Sequence, residues 1–245
     1  MSNLTDDKGH NQVFRPSKAM SLRTERRCDY MIKQMNFDKD SNFSDRRITN
    51  ILEIGCGTGE IAHLLAKKTN ADVVGTDICI PFIEEAKSKY ELPNLEFRIL
   101  DFNDPASILE NKFDYIIGNG ILHHLYNNLN VALLNIKSLL VPQGKIIFLE
   151  PNLYNPYCYL IFNTTKGMRK WAKLEPDEMA LRKRKIKKQL MNANYTNIEI
   201  KYKDFLLPNT PNALIAPVCF VGNVVEKIPI INMFSQSIFI SAQNK

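Results

Sequence analysis

The sequence predicts an α/β protein with a doubly wound, mostly parallel seven-stranded sheet and helices on both faces. Three observations support this fold class. Between residues 48 and 152, short apolar runs alternate with stretches of helical periodicity, which is the pattern of successive βαβ units. The apolar runs lack a clean polar–apolar alternation, as is typical of strands buried on both faces. Three of the 10 glycines fall within residues 55–59, directly after the first apolar run.

The predicted elements follow in order along the chain. After the first strand, Ile61, Leu64 and Leu65 share one face of a helix, and Pro81 marks the first turn of the next helix. Another helix is predicted from about Pro176 to Asn194. The predicted strands are ITNILEI (48–54), DVVGTD (72–77), LEFRIL (95–100), FDYIIGN (113–119), KIIFLE (145–150), NIEIKYKDF (197–205) and SIFISA (237–242).

Composition indicates a globular protein of a reducing compartment. Hydrophobic residues make up 44% and charged residues 24% of the 245 residues. The chain starts with a polar stretch that lacks the apolar core of a secretory signal, and its longest uncharged stretch, 205–225, contains three prolines. We therefore expect a cytoplasmic protein without a spanning helix. The five cysteines are scattered without a CxxC pair, which argues against a disulfide framework or a structural zinc site: Cys28, Cys56, Cys79, Cys158 and Cys219.

The net charge of +6 has its basic excess in one segment. Residues 166–203 hold twelve basic and four acidic residues, with the densest run between Arg182 and Lys188. Such a run is most often the solvated face of a helix. The other interpretation is an anionic partner, either a membrane surface or a phosphorylated substrate.

The glycine cluster has the context of a ligand-binding turn. The segment from Glu53 to Glu60, EIGCGTGE, leaves the first strand and opens the first helix. Residues without a Cβ let the backbone approach a ligand closely there. The dinucleotide fingerprint GxGxxG would require glycine at position 60, and an acid beside the helix start would repel a pyrophosphate. The loop therefore favours a nucleoside ligand without phosphates.

With this loop, the sequence resembles the class I S-adenosylmethionine-dependent methyltransferases over about residues 48–150. The resemblance implies that the loop wraps the methionine part of the cofactor, that an acid ending the second strand binds the ribose hydroxyls, and that an acid after the third strand receives the adenine amino group. The end of the fourth strand would face the cofactor's methionine and the substrate. The implied cofactor-binding residues are Glu53, Gly55, Cys56, Gly57, Gly59, Asp77, Ile78, Asp101, Phe102 and Asn119.

The strand ends give an independent geometrical argument. Ligands of open α/β sheets bind beyond the carboxyl ends of the strands, near the point where the strand order reverses. Gly55, Asp77, Asp101, Asn119 and Glu150 each close a different predicted strand. They are therefore expected to line one rim.

His123 and His124 are the candidate catalytic residues. Methyl transfer requires alignment of the acceptor and removal of any proton that the acceptor loses, and a histidine can act as that base. Adjacent side chains diverge on a helix or a strand, so at most one of the two is expected to face the substrate. The alternative is that one histidine packs against the adenosine and the other caps the following helix.

Glu150, Asn152 and Asn155 are the candidate substrate-binding residues, because they leave the fifth strand toward the predicted pocket. They would hydrogen-bond the acceptor or, equally, satisfy the backbone of a kinked strand exit. The chain has no (D/N)PPY motif after the fourth strand, which argues against amino methylation of nucleic acid bases. A carboxylate cluster for a metal is also missing from the sequence pattern, so no metal is expected.

The resemblance divides the chain into a helical lead-in or cap at 1–47 and a methyltransferase domain at 48–245. Within the domain we expect a cofactor-binding core at 48–152, a basic helical insert at 153–196, and the last strands at 197–245, with an apolar substrate cover at 204–234. The alternative for that apolar stretch is that Leu214, Ile215, Val218 and Phe220 fill the core.

The expected function is methyl transfer from S-adenosyl-L-methionine to O, N or C of a small-molecule, lipid-linked or glycan-linked acceptor. The segment after residue 150 more weakly resembles bacterial methyltransferases of isoprenoid, glycan or secondary-metabolite biosynthesis. The apolar cover and the basic segment together predict peripheral contact with an anionic membrane at its inner face. The alternatives are an RNA-directed methyltransferase and a cofactor-binding interaction protein without turnover.

Overall fold

The computed structural model describes residues 17–35, 48–101, 112–172, 174 and 178–245. The predicted adenine contact of Phe102 and parts of the predicted lead-in at 1–47 lie outside these ranges. The helix predicted from about Pro176 begins only at Lys183, because residues 178–182 are not helical and Leu181 forms a β-bridge.

Seven strands of the described chain form one sheet, which confirms the predicted seven-stranded, mostly parallel architecture. The strands are β1 (Asn50–Ile54), β2 (Asp72–Asp77), β3 (Leu95–Ile99), β4 (Phe113–Asn119), β5 (Leu140–Pro151), β6 (Thr196–Lys203) and β7 (Ser237–Gln243). Their spatial order is β3-β2-β1-β4-β5-β7-β6, and β7 runs antiparallel to both of its neighbours. Strand β5 begins at Leu140, five residues before the predicted apolar run, and its pairing with β4 shifts register between Phe113 and Tyr115.

One described helix precedes β1, and the others lie between successive strands; those before β5 form the crossovers of parallel βαβ units. They are α1 (Lys18–Ile32), α2 (Glu60–Lys68), α3 (Ile80–Lys89), α4 (Leu129–Leu139), α5 (Pro156–Phe162), α6 (Lys166–Trp171), α7 (Lys183–Asn192) and α8 (Asn212–Val225). Short 3-10 turns lie at Tyr126–Asn128 and Ile231–Phe234.

The two faces of the sheet are covered by different helices. One apolar cluster combines α1, α2 and α3 with the strands and includes the fully buried Met31 and Leu65. The other combines α4 and α7 and includes the fully buried Leu133 and Ile186. The strand order reverses between β1 and β4. The crevice beyond the carboxyl ends of these two strands is therefore the expected ligand position.

Helix α7 begins at Lys183, and its apolar side chains Ile186 and Leu190 are fully buried. Lys187 and Lys188 are exposed on the opposite side. For these two lysines, the arrangement favours the solvated-face interpretation of the basic run.

Helix α8 packs against α1 with one face only. Ile215 is buried in the contact with α1, and Val218 is half-buried beside it. Leu214 and Phe220 are 51% and 72% exposed. The core interpretation of this stretch is therefore wrong for Leu214 and Phe220, because the helix has no second layer over its outer face in the described chain. Among the described residues, no helix combines the length and the apolar character needed to cross a bilayer.

Candidate active site

Five of the predicted site residues lie side by side along one edge of the sheet. Following the strand order, Asp101 comes after β3, Asp77 ends β2, Gly55 follows β1, Asn119 ends β4 and Glu150 lies next to the end of β5. Because β1 to β5 are parallel, these positions share the carboxyl-end rim of the sheet.

The glycine loop after β1 has a backbone that favours glycine at three positions. Gly55, Gly57 and Gly59 have φ values of +66°, +53° and +85°. A Cβ on Gly59 would lie 2.6 Å from the ring of Phe97, so the loop packs directly against β3. A Cβ on Gly57 would meet no described atom within 4 Å. The middle of the loop therefore borders open space on the rim.

Asp77 joins the glycine loop to the end of β2. The Gly57 N–H donates to its Oδ2 and the Cys79 N–H donates to its Oδ1, both at 2.9 Å. The Leu100 N–H donates to the Asp77 carbonyl at 3.0 Å, which brings the end of β3 alongside. Each carboxylate oxygen of Asp77 accepts one backbone hydrogen bond and retains a further lone pair.

Two predicted residues flank this turn. The Cys56 N–H donates to the Thr76 carbonyl at 2.9 Å, and burial raises the pKa of the Cys56 thiol. Ile78 is half-buried between Asp77 and the start of α3. The Cys56 hydrogen bond joins the loop to the end of β2, and the raised pKa keeps its thiol neutral.

Glu53 lies beneath the loop and is 2% exposed. Its Oε2 is buried and has no hydrogen-bond partner among the described residues. Burial raises the pKa of Glu53 to about 8; a backbone hydrogen bond from Ala62 opposes this, and the charges of Glu60 and Asp77 add to it. A cationic group bound nearby would favour the ionised carboxylate.

Glu150 organises the turn that follows β4. Its carboxylate accepts hydrogen bonds from the backbone N–H groups of Ile121, Leu122 and His123, at 3.0, 2.8 and 3.2 Å. It also contacts the His123 Nδ1 at 2.9 Å. Because a carboxylate only accepts hydrogen bonds, this contact requires a proton on Nδ1, and in the neutral ring the lone pair is then on Nε2. Glu150 is 1% exposed, and these contacts favour the interpretation that it satisfies the backbone of the turn.

The two histidine rings do not diverge as expected. Their centroids lie 4.2 Å apart at an interplanar angle of 41°, because the segment forms a turn rather than a helix or strand. His123 is 4% exposed and meets the edge of Phe162. The side chain of His124 is 25% exposed, and its Nδ1 lies 3.0 Å from Glu178 Oε1. The rim therefore carries two neighbouring histidine–glutamate pairs.

Asn119 is tied to helix α1. Its Oδ1 accepts a hydrogen bond from Arg27 Nη1 at 2.6 Å. The same guanidinium donates to Ser237 Oγ at 2.6 Å and to Asp204 Oδ2 at 2.9 Å. Burial alone would raise the pKa of Asp204, but Arg23 and Arg27 hold it below its ordinary value. The pairing fixes α1 to the ends of β4, β6 and β7.

Asn152 and Asn155 lie in the exit from β5. Asn152 is fully buried, and its Nδ2 donates to the carbonyls of Met233 and Ser235, both at 2.8 Å. Asn155 caps α5 with its Oδ1 and donates to the Phe234 carbonyl at 2.7 Å. These contacts favour backbone satisfaction at the kinked exit.

Sequence reasoning missed Arg27 and Glu178. A buried arginine on an apolar helix stripe has no local signal, and Glu178 reaches His124 across 54 residues of chain. The one available hint for Glu178 was its place in a short acidic run, EPDE at 175–178, within an otherwise basic segment.

Comparisons with known proteins give one family and a consistent set of relatives. A family model described as a methyltransferase domain matches residues 45–204. A highly reducing polyketide synthase of Purpureocillium lilacinum is 28% identical over 186 residues, which cover 69% of this chain and 7% of that protein. A malonyl-[acyl-carrier protein] O-methyltransferase of Priestia megaterium is 31% identical over 119 residues, 48% of this chain and 42% of that protein.

A solved structure supports the fold. A SAM-dependent methyltransferase from Archaeoglobus fulgidus superposes with a TM-score of 0.64 at 17% identity, covering 95% of this chain and 97% of that one. The chain spans less than half the length of either of the two curated relatives.

Proposed function

Since the chain belongs to the methyltransferase domain family, we propose that it transfers a methyl group from S-adenosyl-L-methionine to O, N or C of a small-molecule, lipid-linked or glycan-linked acceptor. The observation that carries this proposal is the glycine loop joined to Asp77 at the reversal point of the strand order.

The described residues fit S-adenosyl-L-methionine. The buried, unpartnered Glu53 Oε2 suits the methionine ammonium, which would also favour the ionised form of that carboxyl group. Asp77 retains acceptor capacity on both oxygens for the two ribose hydroxyls. Asp101 is half-exposed beside it, at the place that suits the adenine amino group. The open space at Gly57 leaves room for a ligand against the loop.

When bound, S-adenosyl-L-methionine supplies a methyl carbon activated by its sulfonium. The chain's own residues position the acceptor and take its proton. His123 is the base, acting through the Nε2 lone pair, and Glu150 holds its ring in one tautomer and orientation. Glu150 also fixes the backbone of the same turn, so it acts as a positioning residue.

His124 and Glu178 form the second pair of the site. His124 is the more exposed of the two histidines, and so the more accessible to an acceptor. We assign it to acceptor contact, with Glu178 fixing its orientation.

The cysteines indicate where in the cell the reaction would take place. All five cysteines are free thiols, which supports a reducing compartment, the cytoplasm. The wider proposal is a step of bacterial biosynthesis on an acceptor held at or near the inner face of the membrane. The malonyl-[acyl-carrier protein] O-methyltransferase shows by its name that a relative modifies a carrier-bound small molecule.

An apolar rim next to the site supports peripheral membrane contact. Asn155 hydrogen-bonds the Phe234 carbonyl, so the turn at 231–234 adjoins α5, and α8 follows the end of β6 on the same edge. The exposed apolar residues of α5, α6, α8 and the turn at 230–234, together called the apolar rim, are Tyr157, Tyr159, Leu160, Trp171, Leu214, Phe220, Val221, Val224, Ile230, Ile231 and Phe234.

The charges beside this rim favour an anionic membrane. Lys166, Lys170 and Lys227 are exposed. The acid that follows α8, Glu226, is largely buried, and its carboxylate is paired with Lys203, whose Nζ donates to it at 2.6 Å. Apolar side chains and basic residues on one surface reinforce each other in binding anionic lipids. If a second copy of the chain docked on the same surface, these basic residues would lie opposite each other, which disfavours a dimer as the occupant.

The proposed activity is tested by calorimetry with S-adenosylhomocysteine and NAD, followed by incubation with labelled S-adenosyl-L-methionine and fractionated bacterial extract. We expect S-adenosylhomocysteine to bind, NAD to show no heat of binding, and label to enter the lipid, glycan or small-molecule fraction. Absence of S-adenosylhomocysteine binding, or binding of NAD in its place, would contradict the cofactor assignment. If label entered only the RNA fraction, the proposed acceptor class would be wrong and RNA would be the acceptor.

Membrane contact is tested by co-sedimentation with vesicles. We expect binding to vesicles containing phosphatidylglycerol, weakened by salt, and little binding to pure phosphatidylcholine. Phe220→Ser with Val224→Ser should reduce binding several-fold. Val131→Ser with Leu134→Ser is the matched control, because these residues of α4 are similarly exposed. Equal binding by both double variants, or no binding by the wild type, would refute the contact.

A further inference from the structure

A cavity of about 390 Å³ lies beside the histidine pair and carries a concentrated positive charge. Its cationic lining residues are Arg182, Arg184 and Lys185, and Tyr126 and Tyr154 line it as well. None of the described residues that line it is acidic. In the part of the chain that the structure describes, none of the three cations forms an ion pair.

The cavity adjoins the proposed base. Met179 lines it and follows Glu178, whose carboxylate contacts His124. The Met179 N–H donates to the His123 carbonyl at 3.2 Å, which fixes this wall against the histidine turn. Tyr126, two residues after His124, also lines the cavity. A molecule anchored in the cavity would therefore extend toward the histidines.

The cationic side chains are arranged in a way that is unfavourable without an anion. Arg182, Lys183, Arg184 and Lys185 stand at the start of α7, where the helix dipole is positive, and the first turn has no acidic residue and no side-chain cap. Lys185 Nζ lies 3.4 Å from the centroid of the Tyr126 ring, which holds the ammonium at the cavity. An anion would offset the mutual repulsion and accept hydrogen bonds from the guanidinium groups.

We propose that this cavity binds a phosphate or diphosphate group of the methyl acceptor and so selects phosphorylated acceptors. Three cationic side chains and the positive end of a helix match a group with more than one negative charge better than a single carboxylate. The assignment rests on the proposed function for the identity of the acceptor, whereas anion binding itself can be measured without turnover.

The test is calorimetry of the full chain with inorganic pyrophosphate at low ionic strength. We expect wild-type binding that weakens as salt is added. Arg184→Gln with Lys185→Gln should lower the affinity at least ten-fold. Lys187→Gln with Lys188→Gln, which removes the same charge from the same helix outside the cavity, should change it less than two-fold. Equal losses in both variants, or no pyrophosphate binding by the wild type, would overturn the proposal.

Further arms identify the anion and its source. Malonate binding as tight as pyrophosphate, and equally sensitive to Arg184→Gln with Lys185→Gln, would overturn the phosphate assignment. Geranyl diphosphate and vesicles containing phosphatidic acid distinguish a free phosphorylated acceptor from a lipid headgroup, and variant-sensitive binding of either supports the site. S-adenosylhomocysteine should bind all variants equally. Its failure to bind would count against the methyltransferase proposal alone.

Discussion

Replacing His123 by glutamine is expected to lower turnover by about 10²-fold or more, because the variant cannot take the proton of the acceptor. Affinity for S-adenosylhomocysteine should barely change, since the glutamine keeps the polar contact to the Glu150 carboxylate. The measurement is transfer of labelled methyl to the acceptor fraction, paired with calorimetry of cofactor binding.

His63→Gln is the matched control. His63 lies in α2 rather than in the turn after β4, and its ring centroid stacks 4.3 Å from that of Tyr90. It should retain near-normal turnover. His124→Gln separates the roles of the pair: a raised KM with a small change in kcat is expected for acceptor contact. Near-normal turnover in His123→Gln would leave positioning alone to account for catalysis and would remove His123 as the base.

Replacing Asp77 by alanine is expected to weaken cofactor binding by about 1.5–3 kcal/mol, since hydrogen bonds to a charged acceptor are lost. This corresponds to roughly a 10- to 150-fold higher Kd for S-adenosylhomocysteine. Part of the loss would come from the loop, because Gly57 and Cys79 lose their carboxylate acceptor. The measurement is calorimetry, with the free energy of unfolding followed in parallel.

Two further variants interpret that result. Asp72→Ala, at the exposed start of the same strand, should leave the Kd unchanged. Asp77→Asn keeps one oxygen acceptor, so its Kd should lie between those of the wild type and Asp77→Ala. Unchanged affinity in Asp77→Ala, in a protein that remains folded, would show that the ribose is bound elsewhere.

The central part of the fold was predictable because its signals are local. Apolar runs that lack alternation identify strands of a parallel sheet, and the glycine loop after β1 fixes where the first crossover begins. The row from Asp101 to Glu150 followed from the rule that ligands bind at strand ends. The early start of β5 at Leu140 was not predictable, because residues 141–144 include proline, glutamine and glycine.

The rest depended on contacts that only the folded chain creates. Glu178 pairs with His124 because the segment at 178–181 runs beside Asn152, where Leu181 forms a parallel bridge. The roles of Glu150 and Asn152 were open in the sequence, since hydrogen-bonding side chains serve a ligand or the backbone equally well. Helix α8 has an apolar composition that suits a core, yet its outer face remains exposed because no described element covers it.

The long-range contacts of Arg27 also have a consequence for the synthesis of the protein. Arg27 lies 177 residues before Asp204 and 210 residues before Ser237, so its partners leave the ribosome long after it does. Contacts over such separations carry a large loop-closure entropy and form late. Until β6 and β7 are made, Arg27 lacks these two partners, although the apolar side of α1 can already pack against α2 and β1. The earliest helix of the described chain thus completes its polar contacts only after the last strands have been made.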